Sequence, residues 1–294
     1  MSRVIKFAAT QLEISWDITA NIQKCETSIR QAHAEGAQVI LLQELFEAPY
    51  FCKVQNYDYL DLAKPLTDNP LIHHFSKLAK ELQVVLPISY YERDNNTFFN
   101  SLVMIDADGR VLDNYRKSHI PDGPGYCEKF YFTPGDTGFK VWHTRYGVFG
   151  AGICWDQWFP ETARSCALMG AEAMFYPTAI GSEPQDASLD SSGHWQRVMQ
   201  GHSAANILPV IASNRVGVET DDGIETTFYG SSFITDHTGE KIAEANRTDE
   251  AIIYADIDLD ACASYRRAWG LFRDRRPELY GAIKTHASLN KTDQ

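Results

Sequence analysis

Three residues of complementary chemical type each follow an apolar run that reads as a strand. Glu44 stands in L-Q-E-L-F-E-A-P-Y, Lys117 in N-Y-R-K-S-H-I-P, and Cys154 in G-A-G-I-C-W-D-Q-W-F-P-E, just ahead of a helix opened by Pro160 and Glu161. Polar groups beyond strand ends are where α/β folds collect ligands, so the three form a joint candidate. A thiol near a helix N-terminus and beside a cation is expected to have a lowered pKa and a larger thiolate fraction. A glutamate can take the thiol proton and return it to a leaving amine, while a lysine stabilises the oxyanion of a tetrahedral intermediate. Together they describe acyl transfer through a thioester, without histidine or metal. Taken singly, each has an ordinary structural role as a small core residue, a capping carboxylate or a surface cation. Because the three lie far apart in the chain, spacing alone does not decide between the readings.

The elements that must position them follow from periodicity. Residues 4–11 read as a buried strand, and Asp17 or Thr19 can cap a helix on which Ile22, Cys25, Ile29 and Ala32 recur, with a stop at Gly36. Residues 38–43 form a second strand ending at Glu44, and a helix from about Pro70 carries Leu71, Phe75, Leu78 and Leu82 on one face. Strands are expected over 84–91, 98–106 and 111–117, the last two turned at Asp108 and Gly109. A Gly/Pro-rich excursion over 121–138 precedes the strand 148–153, a helix from Pro160 to Gly170, and the strand 173–176. A helix over 195–206, a strand over 209–213, a hairpin 231–236/241–244 and a strand over 251–257 complete the order. The class is therefore α/β or α+β, with helices covering sheet faces. One domain is expected over 1–265. The basic-rich tail 266–294, with Arg266, Arg267, Arg273, Arg275 and Arg276, is expected to contact a neighbouring subunit.

Composition narrows the function. With 44% hydrophobic and 22% charged residues in 294, the chain has ample core material, and disorder is excluded as its main state. Thirty-nine acidic against 27 basic residues give a net charge of −12, which argues against nucleic acid or an anionic membrane as partner. No apolar stretch approaches a bilayer span, and the start enters a strand with no signal-peptide core. Six cysteines without a C-x-x-C pair suggest neither a disulfide scaffold nor a zinc cluster, so a cytoplasmic protein with free thiols is expected. His73, His74, His194, His202 and His237 lack metal spacing, and His119 has no required role. With no phosphate-binding glycine motif either, no cofactor is expected.

The motifs jointly resemble those of the carbon–nitrogen hydrolase (nitrilase) superfamily over nearly the whole chain. They are E-L-F-E-A-P-Y at Glu44, Y-R-K-S-H-I-P at Lys117, Y-C-E-K-F-Y-F-T-P-G-D from Tyr126, and C-W-D-Q-W-F-P-E at Cys154. S-G-H-W-Q-R-V-M-Q-G-H-S-A-A-N and A-S-N-R-V-G also fit. The resemblance implies a four-layer α-β-β-α sandwich, a Glu44–Lys117–Cys154 triad, and homodimers or larger homo-oligomers. It also implies that Glu128 is a second glutamate that holds Lys117 and helps to position substrate.

Residues after the cysteine bear on the substrate. Family members that cleave N-carbamoyl-D-amino acids resemble C-N-D-R-R-W-P-E here, and paired arginines can grip a carboxylate bidentately. This chain has Gln157 and Trp158 instead, and Asp156 where nitrilases proper carry glutamate. The whole pattern is most similar to members acting on N-carbamoylputrescine, which implies hydrolysis to putrescine, ammonia and carbon dioxide through an S-carbamoyl cysteine. Such a cationic substrate needs a carboxylate or aromatic wall for its distal ammonium. Glu183, Asp186, Asp190 and Glu219 are candidate carboxylates; Tyr50, Trp155 and Trp158 are candidate walls. The alternatives are an amidase for N-carbamoyl-β-alanine or an ω-amide, with Arg215 or the basic tail as carboxylate anchor, and a non-catalytic assembly protein.

Overall fold

The computed structural model describes residues 2–287. The apolar start becomes strand β1 (Val4–Gln11), followed by α1 (Ile18–Ala34) and β2 (Val39–Leu41). Asp17 caps α1 by accepting from Ala20 N at 2.9 Å, and Gly36, at φ +88°, supplies the left-handed residue that lets the chain turn into β2. Helix α2 (Pro70–Leu82) opens with proline at its first position and buries Leu71, Phe75 and Leu78. Strands β3 (Leu86–Asp94), β4 (Thr97–Ile105) and β5 (Val111–Arg116) form an antiparallel meander, then come the short helix α3 (Glu128–Tyr131), β6 (Val141–His143) and β7 (Val148–Ala151). Next are α4 (Pro160–Leu168), β8 (Ala173–Pro177), α5 (Ser192–Asn206), β9 (Val210–Ser213), β10 (Val216–Asp221), β11 (Ile224–Tyr229), β12 (Phe233–Thr235) and β13 (Lys241–Glu244). Strand β14 (Ala251–Asp258) and helix α6 (Leu259–Trp269) end the regular elements.

Two sheets face each other. One contains β14-β1-β2 and β3-β4-β5, joined where Ile40 N donates to Val85 O (3.1 Å) and Val85 N to Gln38 O (2.9 Å). The other has the order β13-β12-β9-β8-β7-β6, with β7, β8 and β9 parallel. Alternation along each strand divides the core: Phe7, Leu41 and Met104 meet Phe149, Phe175 and Ile211 between the sheets. Ala8, Ile40 and Leu86 pack outward against α1 and α2, while Met174, Tyr176 and Val210 pack outward against α4 and α5. The expected four-layer α-β-β-α sandwich is thereby formed.

Several segments differ from the sequence reading, among them α3 and β6, which lie where no element was expected. The β10–β11 hairpin, turned at Asp222 and Gly223, was not expected, because V-G-V-E-T-D carries little apolar alternation. The division expected at residue 265 falls inside α6, which Asp258 caps and Gly270 closes at φ +75°. Arg266 donates to Ile207 O (3.0 Å) and Ala171 O (3.3 Å), tying that helix to the sandwich. Residues 288–294 of the expected tail lie outside the described residues.

The ends of β2, β5 and β7 converge, and Gly135 shows how tightly. Its N–H donates to Lys117 O at 2.8 Å, and a Cβ there would lie 2.0 Å from Arg116 O. Gly135→Ala is therefore expected to cost about 1–3 kcal/mol by overpacking, read as a lower urea midpoint; an unchanged midpoint would show that this strand end yields freely.

Candidate active site

Each polar group at this convergence is placed by backbone bonds. Lys117 continues β5, its N–H bonded to Asn100 O of β4 at 2.8 Å. Glu44 follows β2 in a turn whose next residue, Leu45, has φ +47°. Its N–H reaches across to Thr178 O in the other sheet at 3.4 Å. Glu128 opens α3. Cys154 stands at the end of β7 with φ +41°, a strained value for a side-chain-bearing residue, and starts a 3₁₀ turn over Cys154–Trp158. Asp156 pins that turn, accepting from Ile153 N (2.9 Å), Tyr115 OH (2.7 Å) and His119 N (3.0 Å).

The side chains of Glu44, Asn100, Lys117, Glu128 and Tyr50 form one buried chain of contacts. Lys117 Nζ donates to Glu44 Oε1 at 2.9 Å and to Glu128 Oε2 at 2.7 Å, with all three side chains at most 1% exposed. Asn100 Nδ2 donates to the same Glu44 oxygen at 2.7 Å, and Tyr50 OH donates to Glu128 Oε1 at 2.7 Å. Glu44 Oε2 is buried and accepts no hydrogen bond from the described residues. Cys154 Sγ donates to Ala179 O at 3.6 Å.

Electrostatics correct one expectation. Burial pushes the Cys154 thiol well above the usual cysteine range, and Glu44 adds to the shift while Lys117 opposes it. That direction favours the thiol over the thiolate at Cys154. Burial alone disfavours the Lys117 charge, but Glu128 and Glu44 outweigh it and hold the ammonium well above its ordinary pKa. Burial, with Glu44 adding to it, raises Glu128 to about 7 against the pull of Lys117.

Cys154 and Glu128 line a cavity of about 440 Å³, walled by Tyr126, Trp155, Trp158, Ile180 and Leu189. Its other acidic residues are Asp122, Glu183 and Asp190, and no Lys or Arg lines it among the described residues. Trp155 and Trp158 thus stand where a wall is needed, as does half-buried Glu183. The Gly123–Tyr126 bend, closed by two main-chain bonds, also borders it. Asp190 reaches the cavity but is paired with Arg247 at 3.1 Å and held by Ser192. Asp186 is exposed, outside the lining, and bonded to Ser188. Glu219 is not available to a substrate, because Arg215, Lys53 and the Tyr50 N–H occupy its buried carboxylate. Tyr50 is fully buried behind Glu128 and is no wall of the cavity. Arg215 is equally buried, donating to the Glu44 and Leu45 carbonyls, and cannot anchor a substrate carboxylate. Gln157 turns inward, accepting from Trp195 Nε1 (2.7 Å) and Thr178 Oγ1 (3.1 Å). His119 stacks on Phe159 at 3.7 Å and bonds Asp156, a structural post. Sequence reading missed Asn100 and Tyr126; the polar Asn100-Ser101 pair inside the apolar run of β4 was a signal for the first.

The model of the family described as carbon–nitrogen hydrolase matches residues 6–267. The chain belongs to this family. It is 56% identical to an N-carbamoylputrescine amidase of Oryza sativa subsp. japonica over 285 residues, 96% of this chain and 93% of that protein. It is also 56% identical to a citrullinase of Francisella tularensis over 279 residues, 95% of this chain and 98% of that one. A crystal structure of a carbon–nitrogen hydrolase from Helicobacter pylori matches with a TM-score of 0.91 at 39% identity, over 97% of this chain and 99% of that chain. Fold and family agree with the motifs, and among the described residues no helix is long and apolar enough to cross a membrane.

The Tyr50 hydroxyl favours the charged form of Glu128 by donating to it. Tyr50→Phe is expected to move the Glu128 titration upward from about 7, read by infrared difference titration of the carboxyl band. No upward movement would mean that this hydrogen bond does not tune the group.

Proposed function

We propose that the chain hydrolyses N-carbamoylputrescine to putrescine, ammonia and carbon dioxide through an S-carbamoyl intermediate on Cys154. One observation carries the substrate: the cavity beside the Glu44–Lys117–Cys154 cluster is lined by four carboxylates, of which Asp122 and Glu183 face it without a paired cation, and by no Lys or Arg among the described residues. The similarity to the plant amidase supports the same reading.

In the proposed cycle the Cys154 sulfur attacks the carbamoyl carbon while its proton passes to Glu44 Oε2. Lys117 and a backbone N–H near Trp155 stabilise the oxyanion, and Glu128 keeps the Lys117 ammonium in place. The C–N bond to putrescine breaks as Glu44 gives its proton to the departing nitrogen. A water then loses a proton to Glu44 and adds to the S-carbamoyl carbon. The thiol is restored as the C–S bond breaks, and the released carbamate decays to ammonia and carbon dioxide. At the far end the substrate ammonium faces Glu183, beside the rings of Trp155 and Trp158.

The Francisella relative is named a citrullinase, and citrulline presents the same ureido end. Its carboxylate, however, would enter a cavity whose charged lining is acidic. The same repulsion disfavours N-carbamoyl-β-alanine. Assembly as a homodimer or larger homo-oligomer belongs to this reading, supported by the exposed Trp269, Leu279 and Ile283 after residue 265. Cytoplasmic residence is supported by the six free cysteines.

Ammonia release from N-carbamoylputrescine, citrulline and N-carbamoyl-β-alanine tests the substrate, with the first expected to give the highest kcat/KM. Preference for either acid would sink the assignment. Cys154→Ala is expected to lower turnover by about 10⁴-fold or more with the fold retained, read by ammonia assay and circular dichroism. Glu183→Gln removes a charge-assisted contact, so KM for N-carbamoylputrescine should rise about 10- to 100-fold with kcat little changed. An unaltered KM would move the ammonium site elsewhere.

A further inference from the structure

The two carboxylates that flank Lys117 are both tied to a third, which lies outside the cavity. Glu219, on β10, is 6% exposed. Its Oε1 accepts from Arg215 Nη1 at 2.7 Å; its Oε2 accepts from Tyr50 N at 2.6 Å and Lys53 Nζ at 3.2 Å. Arg215, with no exposed surface, turns its other terminal nitrogen to Glu44 O (2.8 Å) and Leu45 O (3.2 Å). Those are the carbonyls of the left-handed turn from which the Glu44 side chain departs. Tyr50, held at its N–H by Glu219, reaches the other way and donates its hydroxyl to Glu128. Phe228 on β11 backs both arms, its ring 6.0 Å from that of Tyr50 and 5.3 Å from the Arg215 guanidinium.

We infer that Glu219 is a positioning residue for the hydrolysis, setting Glu44 through Arg215 and Glu128 through Tyr50. A buried ion cluster is an expensive way to gain stability, since apolar side chains of similar volume serve as well or better. What it supplies is direction. Each Glu219 oxygen receives oriented donors, and the planar Arg215 fork fixes the angle between Glu219 and the Glu44 turn. Glu44 must present Oε2 to the sulfur, then to the leaving nitrogen, then to water, so small displacements of its turn act on every proton transfer. The β10–β11 hairpin is thus a strut for the site, although it lends no residue directly to the Lys117 contacts.

This inference rests on the proton-carrying role proposed for Glu44 and on the pairing of Glu128 with Lys117. The test uses the full chain and whichever carbamoyl amine the unmodified protein turns over best, so a wrong substrate shows in the unmodified protein alone. Arg215→Lys keeps the buried positive charge but loses the second arm to the Glu44 turn; Glu219→Gln keeps the shape but loses the charge. Turnover is normalised to the folded fraction of each preparation, read by circular dichroism on the monodisperse gel-filtration peak, so unfolded molecules do not count. The expected result is a normalised kcat about 10- to 100-fold lower in both variants, with KM changed less than about threefold. The acid limb of the kcat–pH profile is expected to move to higher pH in Glu219→Gln as the Tyr50 hydroxyl loosens from Glu128. If Glu219→Gln does not fold, Arg215→Lys alone decides. Variants that unfold more readily yet retain the unmodified normalised kcat and pH profile would overturn the inference and reduce the cluster to a structural role.

Discussion

Everything at this site depends on one buried ammonium held between two carboxylates. Lys117 has no exposed surface, and moving its charge out of water costs several kcal/mol. Glu44 at 2.9 Å and Glu128 at 2.7 Å offset that cost. With all three ionised, however, the group carries one excess negative charge in a low-dielectric setting. A proton shared within the cluster relieves it, and the raised pKa of Glu128, about 7, expresses that tendency. Burial pushes the neighbouring Cys154 thiol well above its usual range, and the two carboxylates add to that shift while Lys117 opposes it.

The sandwich makes this arrangement rigid by drawing on both sheets. Glu44, Asn100 and Lys117 come from one sheet and Cys154 from the other, and the Glu44 N–H is bonded across the gap to Thr178 O. Asp156 then locks the cysteine turn to Tyr115 and His119, which flank Lys117 in the chain. The positive φ of Cys154 persists because neighbouring elements overdetermine it. Packing between Phe7, Phe149 and Phe175, with ring centroids 5.3–6.1 Å apart, holds the two sheets in register beneath the site.

Periodicity and capping made much of this legible in the chain. Helix α1 starts where Asp17 could cap it, and α2 starts at Pro70. The types and strand-end positions of Glu44, Lys117 and Cys154 pointed to one place, and they meet there with Glu128. What residue types do not carry is their partners. Glu219 and Asp190 looked equivalent to Glu183, yet buried or surface cations occupy both. Tyr50 looked like a wall because aromatic residues often are, but its hydroxyl is committed to Glu128. The thiol was misjudged for the same reason: the nearby cation was visible, while the burial and the two carboxylates that outweigh it appear only in three dimensions. Helix α6 was hidden because its arginines resemble a solvated tail, whereas Arg266 is bound to carbonyls of the sandwich.

The protonated resting state of Cys154 also bears on how long such a molecule survives. Peroxides and stray electrophiles react with thiolates far faster than with thiols. A buried thiol that is only 5% exposed offers them little to attack. Burial beside two carboxylates therefore acts as a chemical safety catch, slowing oxidative loss of the sulfur to which the proposed cycle assigns the attack.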